Sequence, residues 1–62
     1  MIRLFTMVEL ERLTNIQLEE LRIALHHLLA LSEQGTAERR NILASLKNID
    51  RAQNRKQSTL SL

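Results

Sequence analysis

The chain is short of the residues that break helices, cross-link chains or stack on bases. Its 62 residues include no cysteine, proline, tryptophan or tyrosine, one glycine and one phenylalanine. The lack of cysteine excludes disulfides and thiolate metal ligands. The lack of proline removes the strongest helix breaker, and the near absence of aromatic side chains removes the usual platforms for nucleic-acid bases. These absences favour a small helical protein without disulfide cross-links.

Long hydrophobic runs are also missing. The longest leucine-rich stretch, IALHHLLAL, is interrupted by two histidines and is much shorter than the ~20 residues that a membrane span requires. The opening MIRLFTMV is too short for the apolar part of a signal peptide and lacks a small-residue cleavage site. We therefore expect a soluble, cytoplasmic protein with no membrane partner.

The length predicts one domain, residues 1–62, and a limited core. Below ~70–80 residues, a single core rarely supplies more than ~3–5 kcal/mol of stability. Because disulfides are excluded, self-association or a host complex is the expected source of further stability.

The first long helix is predicted at about 15–34. Thr14 and Gln17 match a capping box at its start. At 100° per residue, its apolar side chains form an arc about 160° wide. The members of this arc are Leu18, Leu21, Ala24, Leu25, Leu28, Leu29 and Leu31. Ile16, Ile23 and Ala30 form a second apolar stripe on another side, which could receive the N-terminal arm or another chain.

The stretch LSEQGTAERR predicts a turn between two helices. Gly35 stands where a helix C-terminus favours a left-handed residue. Thr36 is a good N-cap, and Glu38 places a negative charge in the following first turn. The second helix is predicted at about 37–54, with a frayed tail at 57–62. The fold is thus predicted to be all-α, an antiparallel helical hairpin.

Residues 1–13 are open to two interpretations. Thr6 and Glu9 form a second candidate capping box, which favours a short helical or irregular N-terminal arm. The alternation in IRLFTMV instead permits a strand, as in ribbon-helix-helix dimers. Neither face of that strand is polar and basic enough to read a major groove, so we favour the arm.

The apolar arc is too wide for one returning helix to cover. Each exposed leucine forfeits ~1.5–3 kcal/mol, so the pattern predicts a homodimer in which two hairpins form a four-helix bundle. Its predicted core is Leu18, Leu21, Leu25, Leu28, Ile42, Leu46 and Ile49.

In length, two-helix layout and mid-chain turn, residues 14–56 resemble the Rop family of plasmid copy-number proteins. That resemblance implies a homodimeric four-helix bundle. It is one of architecture and includes no shared motif, and the only aromatic residue, Phe5, lies in the arm. RNA binding, which is the Rop activity, is therefore not carried over.

The residues offer little chemistry for catalysis or metal binding. His26 and His27 point about 100° apart on a helix, and neither has an Asp, Glu or His three or four residues away. No cysteine nucleophile or glycine-rich phosphate loop is present. We expect no enzyme activity, no cofactor and no metal.

Charge is the strongest functional signal. The net charge is −2 over residues 14–34 and +4 over residues 36–56. Arg40, Lys47, Arg51 and Arg55 share one face of the second helix, opposite its apolar seam. This basic ridge predicts contact with an acidic surface. We expect a small regulator, adaptor or inhibitor that binds a larger protein. The alternative is a nucleic-acid-binding regulator that uses the same ridge.

Overall fold

The computed structural model describes residues 3–60, with side chains described as far as residue 56, and consists there of three α-helices. They are α1 (Met7–Glu11), α2 (Asn15–Leu31) and α3 (Ala37–Leu60). The all-α prediction is confirmed. No strand occurs between residues 3 and 60, so the ribbon-helix-helix alternative is wrong for this range. Residues 1–2 of the predicted arm and 61–62 of the predicted tail lie outside the described residues.

Both of the first two helices begin at a complete capping box. Thr14 Oγ1 accepts the Gln17 N–H at 3.1 Å, and Gln17 Oε1 accepts the Thr14 N–H at 2.9 Å. In α1 the same exchange joins Thr6 and Glu9, at 3.3 and 3.2 Å. Each box satisfies amide donors that the first helical turn leaves unpaired. The N-terminal arm is therefore helical and separate from α2.

The turn lies where the sequence placed it, but α2 ends at Leu31 and not near residue 34. Ser32 has an extended backbone, and its hydroxyl donates to the Leu29 carbonyl at 2.9 Å, which ends the helix. Gly35 follows in the left-handed conformation at φ 79°. Thr36 Oγ1 then accepts the Arg39 N–H at 3.1 Å and starts α3.

The third helix is longer than expected. It runs to Leu60, whereas the sequence placed its end near residue 54 and a frayed tail at 57–62. The helical backbone therefore extends through residues 57–60, and fraying of this tail stays a prediction. The physical reason is simple, since no glycine or proline follows Gly35 to stop the helix.

The core contains side chains from all three helices. Six hydrophobic residues are at most 1% exposed, namely Leu10, Leu18, Leu25, Ile42, Ile49 and Ala52. Half-buried side chains surround them: Phe5, Met7, Leu13, Leu21, Leu28, Leu29 and Leu46. All seven residues predicted for a dimer core therefore pack within the single chain. The shortage of cover inferred from two helices is largely met by the arm, which acts as a third element.

Two hydrogen bonds between the Phe5 backbone and side chains of α3 fasten the arm to that helix. The Phe5 N–H donates to Ser45 Oγ at 3.0 Å, and Asn48 Nδ2 donates to the Phe5 carbonyl at 2.9 Å. Ser45 is fully buried. Its hydroxyl is the buried acceptor that fixes the arm to α3.

Candidate interaction surfaces

The basic ridge is exposed, as its position opposite the α3 seam requires. Arg40, Lys47 and Arg51 all lie on the surface. Within the described residues, no hydrogen bond or ion pair involves these three side chains. With ~1.5 Å of rise per residue, Arg40 and Arg51 are about 16 Å apart along the helix. The three charges therefore form an extended and accessible positive surface.

Arg55 differs from the other ridge residues. Its Nη1 lies 2.5 Å from Oε2 of Glu11 in α1, although two thirds of the Arg55 side chain is exposed. An exposed pair of this kind contributes ~0–1 kcal/mol. Its main effect here is to neutralise one end of the ridge. The part of the ridge available to a partner is Arg40, Lys47 and Arg51.

Arg39, a basic residue of α3 outside the ridge, serves the fold. Arg39 is half-buried, and its Nη1 donates to the Leu29 carbonyl at 3.1 Å and to Ser32 Oγ at 3.2 Å. A cation at this position complements the negative end of the α2 dipole. At the other end of the hairpin, Gln53 Nε2 donates to Glu19 Oε1 at 3.0 Å. These bonds set the alignment of α2 and α3.

Two glutamates have altered proton affinities because of their partners. The pKa of Glu9 is lowered to about 2. The largest cause is Arg3, which binds the Glu9 carboxylate at 2.6–2.8 Å, and the next is the hydrogen bond from the Thr6 amide. Arg22, and then Gln53, lower the pKa of Glu19. Both carboxylates are therefore stabilised in their ionised form, in structural roles.

The second exposed feature is an apolar strip along α2. Ile16 is 74% exposed and Ile23 is 50% exposed, and Ala30 also lies on the surface. These residues recur every seventh position, so they share one side of the helix. We call this strip, with the adjacent exposed Glu20 and His27, the outer face of α2. The N-terminal arm does not cover it, because the arm packs against α3 and the core.

Of the two histidines, His27 belongs to this face and His26 lies beside it. Both are exposed, and together with Ile23 and Ala30 they line a shallow hollow of about 260 Å³. Those four residues stand at positions i, i+3, i+4 and i+7 of the helix. This is the arrangement that receives a side chain from a neighbouring helix in coiled-coil packing.

The aromatic ring is not presented for base stacking. Phe5 is half-buried against the core, and the Arg3 guanidinium carbon lies 4.5 Å from its ring centroid. One of its faces is therefore already occupied by a cation–π contact. This placement makes the chain less suited to unpaired nucleotides.

Among the residues that the structure describes, no three His, Cys, Asp or Glu side chains are close enough to hold a metal ion. Over the same part of the chain, no helix has the length and apolar character of a membrane span.

Comparison of the chain with family models, with curated proteins and with solved structures gives no significant match. The resemblance to the Rop family therefore rests on helix layout alone.

Proposed function

We propose that this protein is a small non-catalytic interaction module that acts as a homodimer and binds a larger protein. Its role would be that of a regulator, adaptor or inhibitor. The observation that carries the proposal is the exposed basic ridge of Arg40, Lys47 and Arg51. These charges have no partner among the described side chains, although acids are available elsewhere in the chain.

The ridge is held on a rigid support. It projects from α3, whose opposite side is buried through Ile42, Ile49 and Ala52. The backbone of such a helix is already ordered and loses little freedom when a partner binds, which favours recognition by a preformed surface. The complementary surface is an acidic patch or groove on the partner. At low salt, long-range attraction between the two surfaces would also raise the association rate.

A protein partner is favoured over nucleic acid for two reasons. The net charge of the chain is only +2, and Glu11 already neutralises the Arg55 end of the ridge. Phosphate-backbone binders generally carry a stronger basic excess. Nucleic-acid binding is therefore the alternative outcome of the test.

The proposal is tested with a triple charge reversal, Arg40→Glu, Lys47→Glu and Arg51→Glu, in the full chain. The matched control is Arg40→Lys, Lys47→Arg and Arg51→Lys, which keeps every charge. Both variants should remain helical, because all three positions are exposed. A protein captured from the native cell should be retained by wild type and control and lost by the reversal variant.

The same variants distinguish the alternatives. The wild-type chain could bind generic duplex DNA or RNA with an affinity that falls as salt is added. If the reversal variant loses this binding, the ridge is a nucleic-acid-binding surface. Equal capture of the partner by all three proteins would show that the ridge is only a solvated surface, and would overturn the proposal.

A further inference from the structure

We infer that the outer face of α2 binds the same face of a second copy, with the two α2 helices antiparallel. This inference deepens the homodimer part of the proposed function and rests on it, but it uses a different surface from the ridge. It also differs from the dimer predicted from sequence. The leucines assigned to that interface are buried or half-buried within the chain, whereas Ile16 and Ile23 are exposed.

The case for a second copy is the symmetry of the face about Ile23. Ile16 lies seven residues before Ile23, and Ala30 lies seven residues after it. Antiparallel pairing about an axis at Ile23 places each Ile16 against the partner copy's small Ala30. Leu31, which is 82% exposed next to Ala30, adds apolar surface around that isoleucine. A large side chain thus faces a small one at both ends.

The polar residues follow the same symmetry. Glu20 lies three residues before Ile23, and His27 lies four residues after it, on the same side of the strip. Antiparallel pairing therefore brings each Glu20 carboxylate to the imidazole of the other copy's His27, an acceptor facing a donor. Parallel pairing would instead put Glu20 and the other copy's His27 on opposite sides of the strip, where they cannot meet. The charge pattern selects the antiparallel arrangement.

The shape of the face agrees with this register. The hollow is bounded at its two ends by Ile23 and Ala30, the positions that face the other copy's Ile23 and Ile16. The strip from Ile16 to Leu31 is about 22 Å long. A contact of this size is small for a protein interface, so the dimer should dissociate on dilution.

Single-cysteine variants test the register directly, because the chain has no cysteine of its own. Ile23→Cys should form a disulfide-linked dimer on mild oxidation, since the two residues meet at the axis. Ile16→Cys alone should not, because those positions are about 21 Å apart in the antiparallel pair. A mixture of Ile16→Cys and Ala30→Cys should give the mixed dimer. Efficient self-linking of Ile16→Cys would overturn the antiparallel arrangement.

A second set of variants tests the face without oxidation. In sedimentation over a concentration series, Ile23→Glu should abolish the dimer and keep wild-type helicity, because Ile23 is half exposed. The control is Leu43→Glu on α3, where Leu43 is 44% exposed. Loss of the dimer in Leu43→Glu but not in Ile23→Glu would overturn the inference. So would a wild-type chain that stays monomeric at every concentration.

The polar contact has its own test. Glu20→Arg should weaken association by about tenfold, because two symmetric pairs are lost. Adding His27→Glu restores opposite partners and should recover most of the affinity. No recovery would show that these residues do not face each other. Partner capture through the ridge can survive failure of these experiments, so the two proposals are separable.

Discussion

At the residue scale, two polar side chains of α3 hold the N-terminal arm in place. Ser45 lies on an apolar seam, yet its hydroxyl accepts the Phe5 amide from 40 residues away. Asn48 completes the contact by donating to the Phe5 carbonyl. A buried amide left without an acceptor costs ~1–3 kcal/mol. The arm therefore depends on particular side chains of α3, which no pattern within residues 1–13 could reveal.

Glu9 makes the stability of the protein depend on acid. Its pKa is lowered from 4.5 to about 2 in the folded chain, so the folded state holds fewer protons on this group. The stabilisation is fully present above about pH 4.5 and is lost as the pH falls towards about 2. We predict that the difference in unfolding free energy between wild type and Glu9→Gln narrows over that interval.

Urea denaturation across this pH range measures the effect. Glu33→Gln is the control, because among the described side chains Glu33 takes part in no ion pair. A gap between wild type and Glu9→Gln that stays constant over the whole interval would contradict the role assigned to Arg3 and Thr6.

At the scale of the helices, the boundaries are set by short-range hydrogen bonds. Two threonines, each with a Glu or Gln three residues later, start α1 and α2. Two residues act after the end of α2. Ser32 has an extended backbone that stops the helix, and Gly35 adopts the left-handed conformation that reverses the chain. Arg39 then binds the last carbonyls of α2 from the first turn of α3.

Gly35→Ala should destabilise the protein by about 1 kcal/mol or more. An added Cβ would meet no atom within 4 Å, so the cost is the backbone strain of alanine at φ 79°. The matched control is Gln34→Ala, the exposed neighbour with an ordinary negative φ. Chemical denaturation should show a lower midpoint for Gly35→Ala alone. Equal midpoints for the two variants would mean that the turn tolerates another backbone conformation.

At the scale of the whole molecule, the arm is part of the core. Leu10 in α1 is fully buried together with Leu18, Leu25, Ile42 and Ile49. A short helix of five residues cannot be stable alone. It is held because Leu10 enters the groove of the hairpin and Phe5 bonds to α3. The arm and the hairpin should therefore unfold together.

Leu10→Ala tests this integration. We expect a loss of ~2–5 kcal/mol in unfolding free energy, the usual cost of emptying a buried leucine site. Val8→Ala, in the same helix but 63% exposed, should change stability by no more than ~0.5 kcal/mol. Calorimetry or urea titration of both variants gives the comparison. If Leu10→Ala lowers the unfolding free energy as little as Val8→Ala does, α1 is not packed against the hairpin in solution.

The sequence by itself determined the helices, the turn and the outward position of the basic ridge. These features depend on spacing along the chain and on residues at most four positions apart, such as Thr14 with Gln17. Only the tertiary structure decided how the leucine arc is covered, that Arg55 pairs with Glu11, and that Ile16 and Ile23 stay exposed. Those outcomes depend on where residues 3–13 pack against a helix more than 20 positions away, and helical periodicity does not record such distant contacts.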